Sequence, residues 1–589
     1  MLTVLHSIIL PEAEIEQCAD LYSRGAILQP LEDANGFSVP DGGSVSFDTF
    51  YNGFSVEKWQ SLGTIENLFL HMQASGQFTL RIMHHGADGA VTCLQSVTVN
   101  CVDFESTTIP VAAWSALKEG MLFLRIEGRE KTAVKTMRLV TETAPVMRPR
   151  LGVVITHFNR QDYVVRSIAR VRKKLLNNAY YKKAIDFIIV DNSNNLNADE
   201  LEGASVIPNR NYGGSGGFAR GLLYLKDQNS YTHCLFMDDD ISCEVESIKR
   251  AYTVLSYSTD PKIGLAGVLL DAAKPWHVQE KGAEFSGGVF RPLHQNADAR
   301  TVQNLLGLEK TAGHPVYGGW WFFAFRLDAV DYYPFPFFVR GDDALFGLIN
   351  KFTIFTMNGI ACFSEHFLSK ETALTRYLGF RASLAAYLME GRGSVVPALK
   401  RVGASFLWCA FSYRYESARA VALAVRDVGK GVSFWGRDLA YPPSLKEIER
   451  ENSHDELPSY FAEHAFSTDA APETGLRKII RAITLNGHLI PSVIMKKNPL
   501  YTSEYARGLL SKVFMTRRVV YQKYETNKVF SRDVNRKTFF TNLFEFGRYG
   551  VSFTLRYRTL AKDYQQNGRK LCTEAFWRKV YSSSEDKNC

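Results

Sequence analysis

The spacing of apolar residues changes character twice along this chain. Up to about residue 148 they fall in short runs, such as Ser44 to Phe50, Phe78 to Met83 and Met121 to Ile126, separated by Gly, Asp and Asn. Runs of this length bounded by turn residues, with no helical period between them, predict a β-sandwich of the jelly-roll kind. Pro145 and Pro149 flank the exit from that region, just before a strongly apolar run, and mark a domain boundary. From Leu151 the order becomes strand, helix, strand: LGVVIT, a helical stretch near Tyr163 to Leu176, DFIIVDNSNN and CLFMDDD. Alternation of this kind predicts a mixed, mainly parallel sheet, on which ligands bind at the carboxyl ends of the strands. After about Ser369 the chain reads as helices rich in Arg, Lys, Tyr and Phe, among them VFMTRRVVYQKY and FEFGRYGVSFTLRYRTLAKDY. The expected fold class is therefore α/β, with a β-sandwich over residues 1–148, an α/β domain over 149–400 and a mostly helical, basic region over 401–589.

Composition adds two constraints. An apolar fraction of 46% and a charged fraction of 22% are those of a globular protein and exclude a fibrous or extensively disordered chain. The formal charge of +8 is uneven: 23 Lys and Arg stand against 8 Asp and Glu from Gly475 onward, so that stretch carries +15 and the rest −7. The asymmetry predicts an anionic partner, and peripheral contact with an anionic membrane is the expected form. Nucleic acid is not the expected partner, and an oligomer surface would need the same residues. The nine cysteines include no CxxC pair and are odd in number, which fits a reducing compartment better than a disulfide framework. With no secretory signal pattern and no long uninterrupted apolar run, the expected location is the cytoplasm, or the cytoplasmic face of the cell membrane.

The strongest chemical signal is Asp238-Asp239-Asp240, placed where an apolar strand surfaces. Three adjacent carboxylates repel one another unless a cation offsets them, and Mg²⁺ or Mn²⁺ held by one or two carboxylates completes its shell with substrate phosphates. A solvated acidic loop or helix cap is the plainer alternative. The pair Asp342-Asp343 follows the aromatic run YYPFPFF; a partly buried carboxylate beside another acid suits a general base, and Asp343 is the choice for it, with helix capping as the alternative. His366 in CFSEHF has the chemistry of a transition-metal ligand, although a lone histidine beside apolar residues is more often structural. The stretch NRNYGGSGGFARG, with Asn211, Gly214, Gly216 and Gly217, formally meets a dinucleotide fingerprint, but VIPNRN before it is turn-prone; a loop passing close to a diphosphate-sugar explains it better. Two strand ends complete the expected nucleotide site, with Arg160 for phosphate and Asp191 for a uracil nitrogen. Trp320 and Trp321 in GGWWFFAF would form an aromatic wall for a sugar or, more commonly, part of the core.

Taken together, THFNR, VVDNSNN, NYGGSGGFARG, FMDDD, GGWW, GDDALFG and SEHF stand in the order and approximate spacing of bacterial family 2 galactofuranosyltransferases, and SFDTFYNGFSVEKW is similar to the signature of their β-rich domain. The resemblance spans about residues 40 to 370. It implies a GT-A catalytic domain between a jelly-roll-like domain and a helical region, and a UDP-galactofuranose donor; the expected reaction is an inverting transfer of galactofuranose to a hydroxyl of a cell-surface glycan acceptor, which a basic, membrane-facing region would suit if that acceptor is lipid-linked. It implies a metal held by Asp238, Asp240 and His366, with Asp343 as base and Arg160 and Asp191 on the UDP, where Asp239 would also lie. Another UDP-sugar, a non-catalytic carbohydrate-binding scaffold and an NAD-linked oxidoreductase are the competing readings. The segment after about residue 400 shows no motif of the family.

Overall fold

The computed structural model describes residues 2–585 apart from 13–14, 16–17, 32–35, 64, 130–131, 311–312, 392, 438, 440–442, 452–455, 458–465, 467–472 and 525. Cys589 lies outside the described residues, and the other eight cysteines are free thiols.

The N-terminal region is β-rich, one ten-stranded sheet with every pair antiparallel. Its longest strand, Phe69–His85, alternates buried Leu70, Met72 and Ala74, breaks register at Gly76, and resumes with buried Phe78, Leu80 and Ile82. That shift re-aims the strand: its first half pairs with Thr132–Thr141 and its second with Met121–Gly128. Phe47, Phe54, Trp59 and Trp114 fill the core between. This β-rich region is fixed to the next domain through Arg250, fully buried, whose guanidinium donates to the carbonyls of Tyr51, Gly359 and Ser7.

The second domain holds a seven-stranded sheet built from β1 (Leu151–His157), β2 (Ile185–Asp191), β3 (Ala204–Pro208), β4 (His233–Asp238), β5 (Ile263–Ala266), β6 (Phe323–Arg326) and β7 (Thr353–Phe355). The order is β3-β2-β1-β4-β6-β5-β7, parallel except for β6. This mixed sheet has the GT-A arrangement that the resemblance implies. Helices α1 (Gln161–Val171), α2 (Gly213–Asp227), α3 (Val245–Tyr257) and α4 (Asp342–Asn350) follow β1, β3, β4 and β6, respectively.

One expectation is corrected here. The glycine-rich stretch is not a loop: α2 begins at Gly213 and runs through it. The glycines let the helix lie against the sheet, since a Cβ on Gly217 would stand 2.2 Å from Thr156 Cγ2 and one on Gly221 2.2 Å from Val154 Cγ1. Gly217→Val is therefore expected to destabilise the domain by about 1–3 kcal/mol through overpacking, seen as a lower thermal midpoint.

Beyond the sheet come α5 (Ala373–Glu390), α6 (Val395–Phe411), α7 (Tyr415–Val428), α8 (Gly475–Ile483), α9 (Arg536–Asn567) and α10 (Glu574–Glu585). FEFGRYGVSFTLRYRTLAKDY is indeed helical, within α9. VFMTRRVVYQKY is not: it contains the strand Arg518–Gln522, paired with Leu500–Ser503 and Val529–Asp533. The β-branched and aromatic residues Val519, Val520 and Tyr521 fit a pleated, buried strand better than a helix. No described helix is long and apolar enough to cross a membrane.

Candidate active site

Parallel pairing brings the polar strand ends to one level, with Thr156 on β1 opposite Asp238 on β4 and His157 on β1 opposite Asp191 on β2. At this edge a cleft of about 550 Å³ is lined by Arg160, Gly214, Asp238, Asp240, Glu280, Trp320, Trp321, Asp342, Asp343 and Lys370, among others. The two acidic motifs, about a hundred residues apart in sequence, thus share one cavity.

Each aspartate of the triplet has a different environment. Asp239 is buried and accepts from Arg160 Nη1 at 2.8 Å and from the Phe158 amide at 3.0 Å, with His157 Nδ1 3.3 Å away. Burial opposes its ionisation, but His157, Phe158 and Arg160 outweigh it and hold the carboxyl below its ordinary value. Asp240 accepts from Lys370 Nζ at 2.9 Å and lies 3.2 Å from Arg160 Nη1. Asp238 has no cationic partner within ion-pair distance among the described residues, and burial together with Asp240, Asp239, Asp343 and Asp342 pushes its pKa well up. A carboxylate left uncompensated among four others, with Asp240 beside it, offers hard oxygen donors and a surplus of negative charge. That donor set fits Mg²⁺ or Mn²⁺.

His366 does not join them. Its imidazole groups with Asp271 and His277, one donor atom from each lying within 4.8 Å of the others, and packs against the Tyr524 ring at 4.7 Å. Among the described residues this is the one cluster of three such side chains with metal-ligand spacing. Lys370, four residues further on, is the group that reaches Asp240.

Asp342 and Asp343 open α4. The backbone ahead of them is left-handed at Phe338, Arg340 and Gly341, with φ of 73°, 70° and 80°. Such conformations are held only where the surroundings over-determine them, and here the Phe338 carbonyl accepts from the Ser215 amide at the start of α2. Asp342 is buried and accepts from Ser215 Oγ at 3.0 Å. Asp343 accepts from the Ala344 amide at 2.7 Å and otherwise faces the cleft. Burial raises the pKa of both, with Asp343 adding to the rise at Asp342 and the Ala344 amide and Arg340 moderating it at Asp343.

The remaining expected site residues fall as follows. Arg160 and Gly214 line the cleft, while Gly216 and Gly217 are packing positions against Tyr212 and Thr156. Asn211 caps the Gly213 amide at 2.9 Å. Asp191 accepts from four backbone amides, those of Ser193, Asn194, Asn195 and Leu196, at 2.9–3.0 Å. A carboxylate has about four lone-pair sites, so a uracil contact would displace one of these bonds, and the side chain is first a turn-former. Trp320 and Trp321 both border the cleft; Trp321 donates to the Gly267 carbonyl at 3.0 Å, whereas the buried Trp320 indole N–H has no partner among the described residues. Sequence reasoning missed Glu280, Tyr317 and Lys370. Glu280 is wholly buried in the cleft wall, its pKa raised to about 8 by burial, with one carboxylate oxygen unpartnered. Its neighbours Val278 and Gln279 give no sequence signal beyond a short apolar strand.

Residues 5–142 match the family described as Galactofuranosyltransferase 2 N-terminal, and residues 152–260 match Glycosyl transferase family 2. The second match includes β1 to β4 and the aspartate triplet, so this part of the chain is similar to the glycosyltransferase family 2 domain. More particularly, the chain resembles the Galactofuranosyltransferase GlfT2 of Mycolicibacterium smegmatis, with 23% identity over 337 residues, 52% of this chain and 50% of that protein. It resembles GlfT2 of Mycobacterium tuberculosis at 22% identity over 387 residues, 59% of each. The matches thus span between half and three-fifths of these relatives. Among solved structures it is similar to the mannosyltransferase PcManGT from Pyrobaculum calidifontis in complex with GDP-Man and Mn²⁺, at 13% identity and a TM-score of 0.29, covering 48% of this chain and 75% of that one.

Proposed function

We propose that this chain transfers galactofuranose from UDP-galactofuranose to a hydroxyl of a cell-surface glycan, with inversion at the anomeric carbon. The observation that carries the reading is that Asp343, Asp238 and Asp240 line one cleft, with the N-terminal family match and the likeness to galactofuranosyltransferases supporting the donor. Asp343 accepts the proton of the attacking hydroxyl as the new C–O bond forms and the bond to UDP breaks, the electron pair leaving with the diphosphate. Asp342, tied to Ser215, positions α4 so that Asp343 faces the substrate. Arg160, held by Asp239 and Asp240, stands on the cleft wall where a diphosphate would need a fixed positive charge. Asp238 and Asp240 would hold Mn²⁺ or Mg²⁺, which when bound supplies further charge to the leaving group. Trp320 and Trp321 give the sugar an apolar wall.

The test is release of UDP from UDP-galactofuranose, with and without Mn²⁺, in the presence of a galactose-containing acceptor. Acceptor-dependent, cation-stimulated release is expected, and equal rates with and without acceptor would overturn transfer. The pH profile adds a second check. A base must be ionised to work, and burial raises Asp343 to about 6. Turnover is therefore expected to fall as the pH drops through about 6, well above the range of an exposed aspartate; an acid limb near 4 would remove Asp343 from the role.

A further inference from the structure

A short sheet beside the cleft ends in a cluster that the catalytic reading leaves unused. The sheet is made of Val268–Asp271, Val278–Glu280 and Ala361–Ser364, the first strand pairing antiparallel with the second and parallel with the third. With those directions, the end of the first strand, the approach to the second and the exit from the third all fall on one side. Asp271, His277 and His366 occupy these three places, and one donor atom from each lies within 4.8 Å of the others.

Two of the three present polar atoms that nothing in the protein satisfies. Asp271 is fully buried; one carboxylate oxygen, Oδ1, accepts from the Ala273 amide at 2.8 Å, while Oδ2 has no partner among the described residues. The Nδ1 atom of His277 is likewise buried and unpartnered. Buried polar atoms of this kind cost free energy unless something meets them, and here they come from separate loops and converge on one point.

The donor set names the ligand. Hard ions such as Mg²⁺ and Ca²⁺ prefer oxygen, whereas two imidazoles with one carboxylate suit a transition ion, Zn²⁺ foremost. A small turn of the two rings brings the donors to the roughly 3–4 Å that separates ligands held 2.0–2.2 Å from one ion. Ligation through Nε2 of His366 gives up the long bond, 3.2 Å, that its Nδ1 accepts from the Leu368 amide, a loss small beside a metal bond. The Tyr524 ring, 4.7 Å from that of His366, screens the cluster from water.

We propose that Asp271, His277 and His366 bind one Zn²⁺ ion as a structural staple, separate from the cation at Asp238 and Asp240. His277 lies three residues before Glu280 in the cleft wall, and His366 four before Lys370, which reaches Asp240. The ion therefore ties together the two loops that deliver these groups to the cleft. The proposal is independent of the donor sugar, because its test uses no nucleotide.

The test is elemental analysis of the full chain, loaded with Zn²⁺ and freed of excess by gel filtration, for the native protein, His277→Ala, His277→Cys and Asp238→Ala. One Zn²⁺ per chain is expected in the native protein and in Asp238→Ala. His277→Ala should weaken retention by roughly 100-fold or more, since losing even an outer partner of a metal ligand costs about 10–100-fold. His277→Cys supplies a thiolate in place of the imidazole and should restore it, which separates loss of a ligand from loss of the fold. Loading with Co²⁺ should give visible ligand-field absorption that follows the same order among the variants. A native chain that keeps no Zn²⁺, or equal retention by His277→Ala, would overturn the proposal. So would Zn²⁺ lost in Asp238→Ala and kept in His277→Ala, which would assign His366 to the aspartate triplet.

Discussion

Asp343→Asn is expected to lower kcat by about 10²–10⁴-fold while UDP binding stays near native, the loss typical of removing a general base. Asparagine keeps the size of the side chain and can still meet the Ala344 amide, so α4 should retain its start. What it lacks is a basic oxygen for the acceptor proton. Asp342→Asn makes the contrast, since that side chain is buried against Ser215 and does not need to move a proton. It should give a smaller kinetic loss and keep the acid limb near pH 6. A purified, folded Asp343→Asn protein with turnover within a few-fold of native would assign the base elsewhere, and Glu280, buried in the same cleft, would be the next group to examine.

Asp238→Ala is expected to be as damaging by a different route. Among the triplet it is the carboxylate with no cationic partner among the described residues, so it is the one whose charge awaits a ligand. Its removal should abolish Mn²⁺-supported uptake of UDP, measured by calorimetry, and lower kcat/KM by roughly 10³-fold or more, as losing a charge aimed at the leaving group does. The thermal midpoint should hold or rise, because a half-buried carboxylate crowded by four other aspartates, its pKa raised, destabilises the fold when ionised. Unchanged cation-dependent UDP uptake in this variant would place the metal elsewhere, and the Asp271, His277 and His366 cluster would be the alternative to test by His277→Ala.

The parts of this site that the sequence makes legible are those carried by short local patterns. An apolar strand ending in three aspartates points to its own place on a parallel sheet, and GDDALFG names its helix start. The same locality explains the failures. Lys370 and Glu280 come from separate elements that approach only through tertiary pairing, and nothing near them in the sequence marks that approach. His366 has suitable chemistry, but whether it faces Asp240 or Asp271 depends on the twist of the strand Ala361–Ser364, whose Ser364 pairs with Asp271. The glycines of α2 look like a ligand loop because a close helix-to-strand contact and a close backbone-to-phosphate contact both exclude a Cβ. In the basic region, Arg and Lys hide the alternation of Val519 and Tyr521, so a strand reads as helix.

One long-range contact bears on how this protein is made. The hydroxyl of Tyr581 on α10 donates to the Gly216 carbonyl at 2.6 Å, 365 residues away in sequence, while Trp577 lies against the same glycine and donates to the Pro334 carbonyl. The helix that opens beside Asp342 is thus clasped by a segment synthesised much later. At roughly 5–20 residues per second, a ribosome needs on the order of 20–70 s to travel from one to the other. During that interval the nascent chain carries its acidic cleft with α2 lacking its outer clasp, so this wall of the cleft is completed only once α10 has been made.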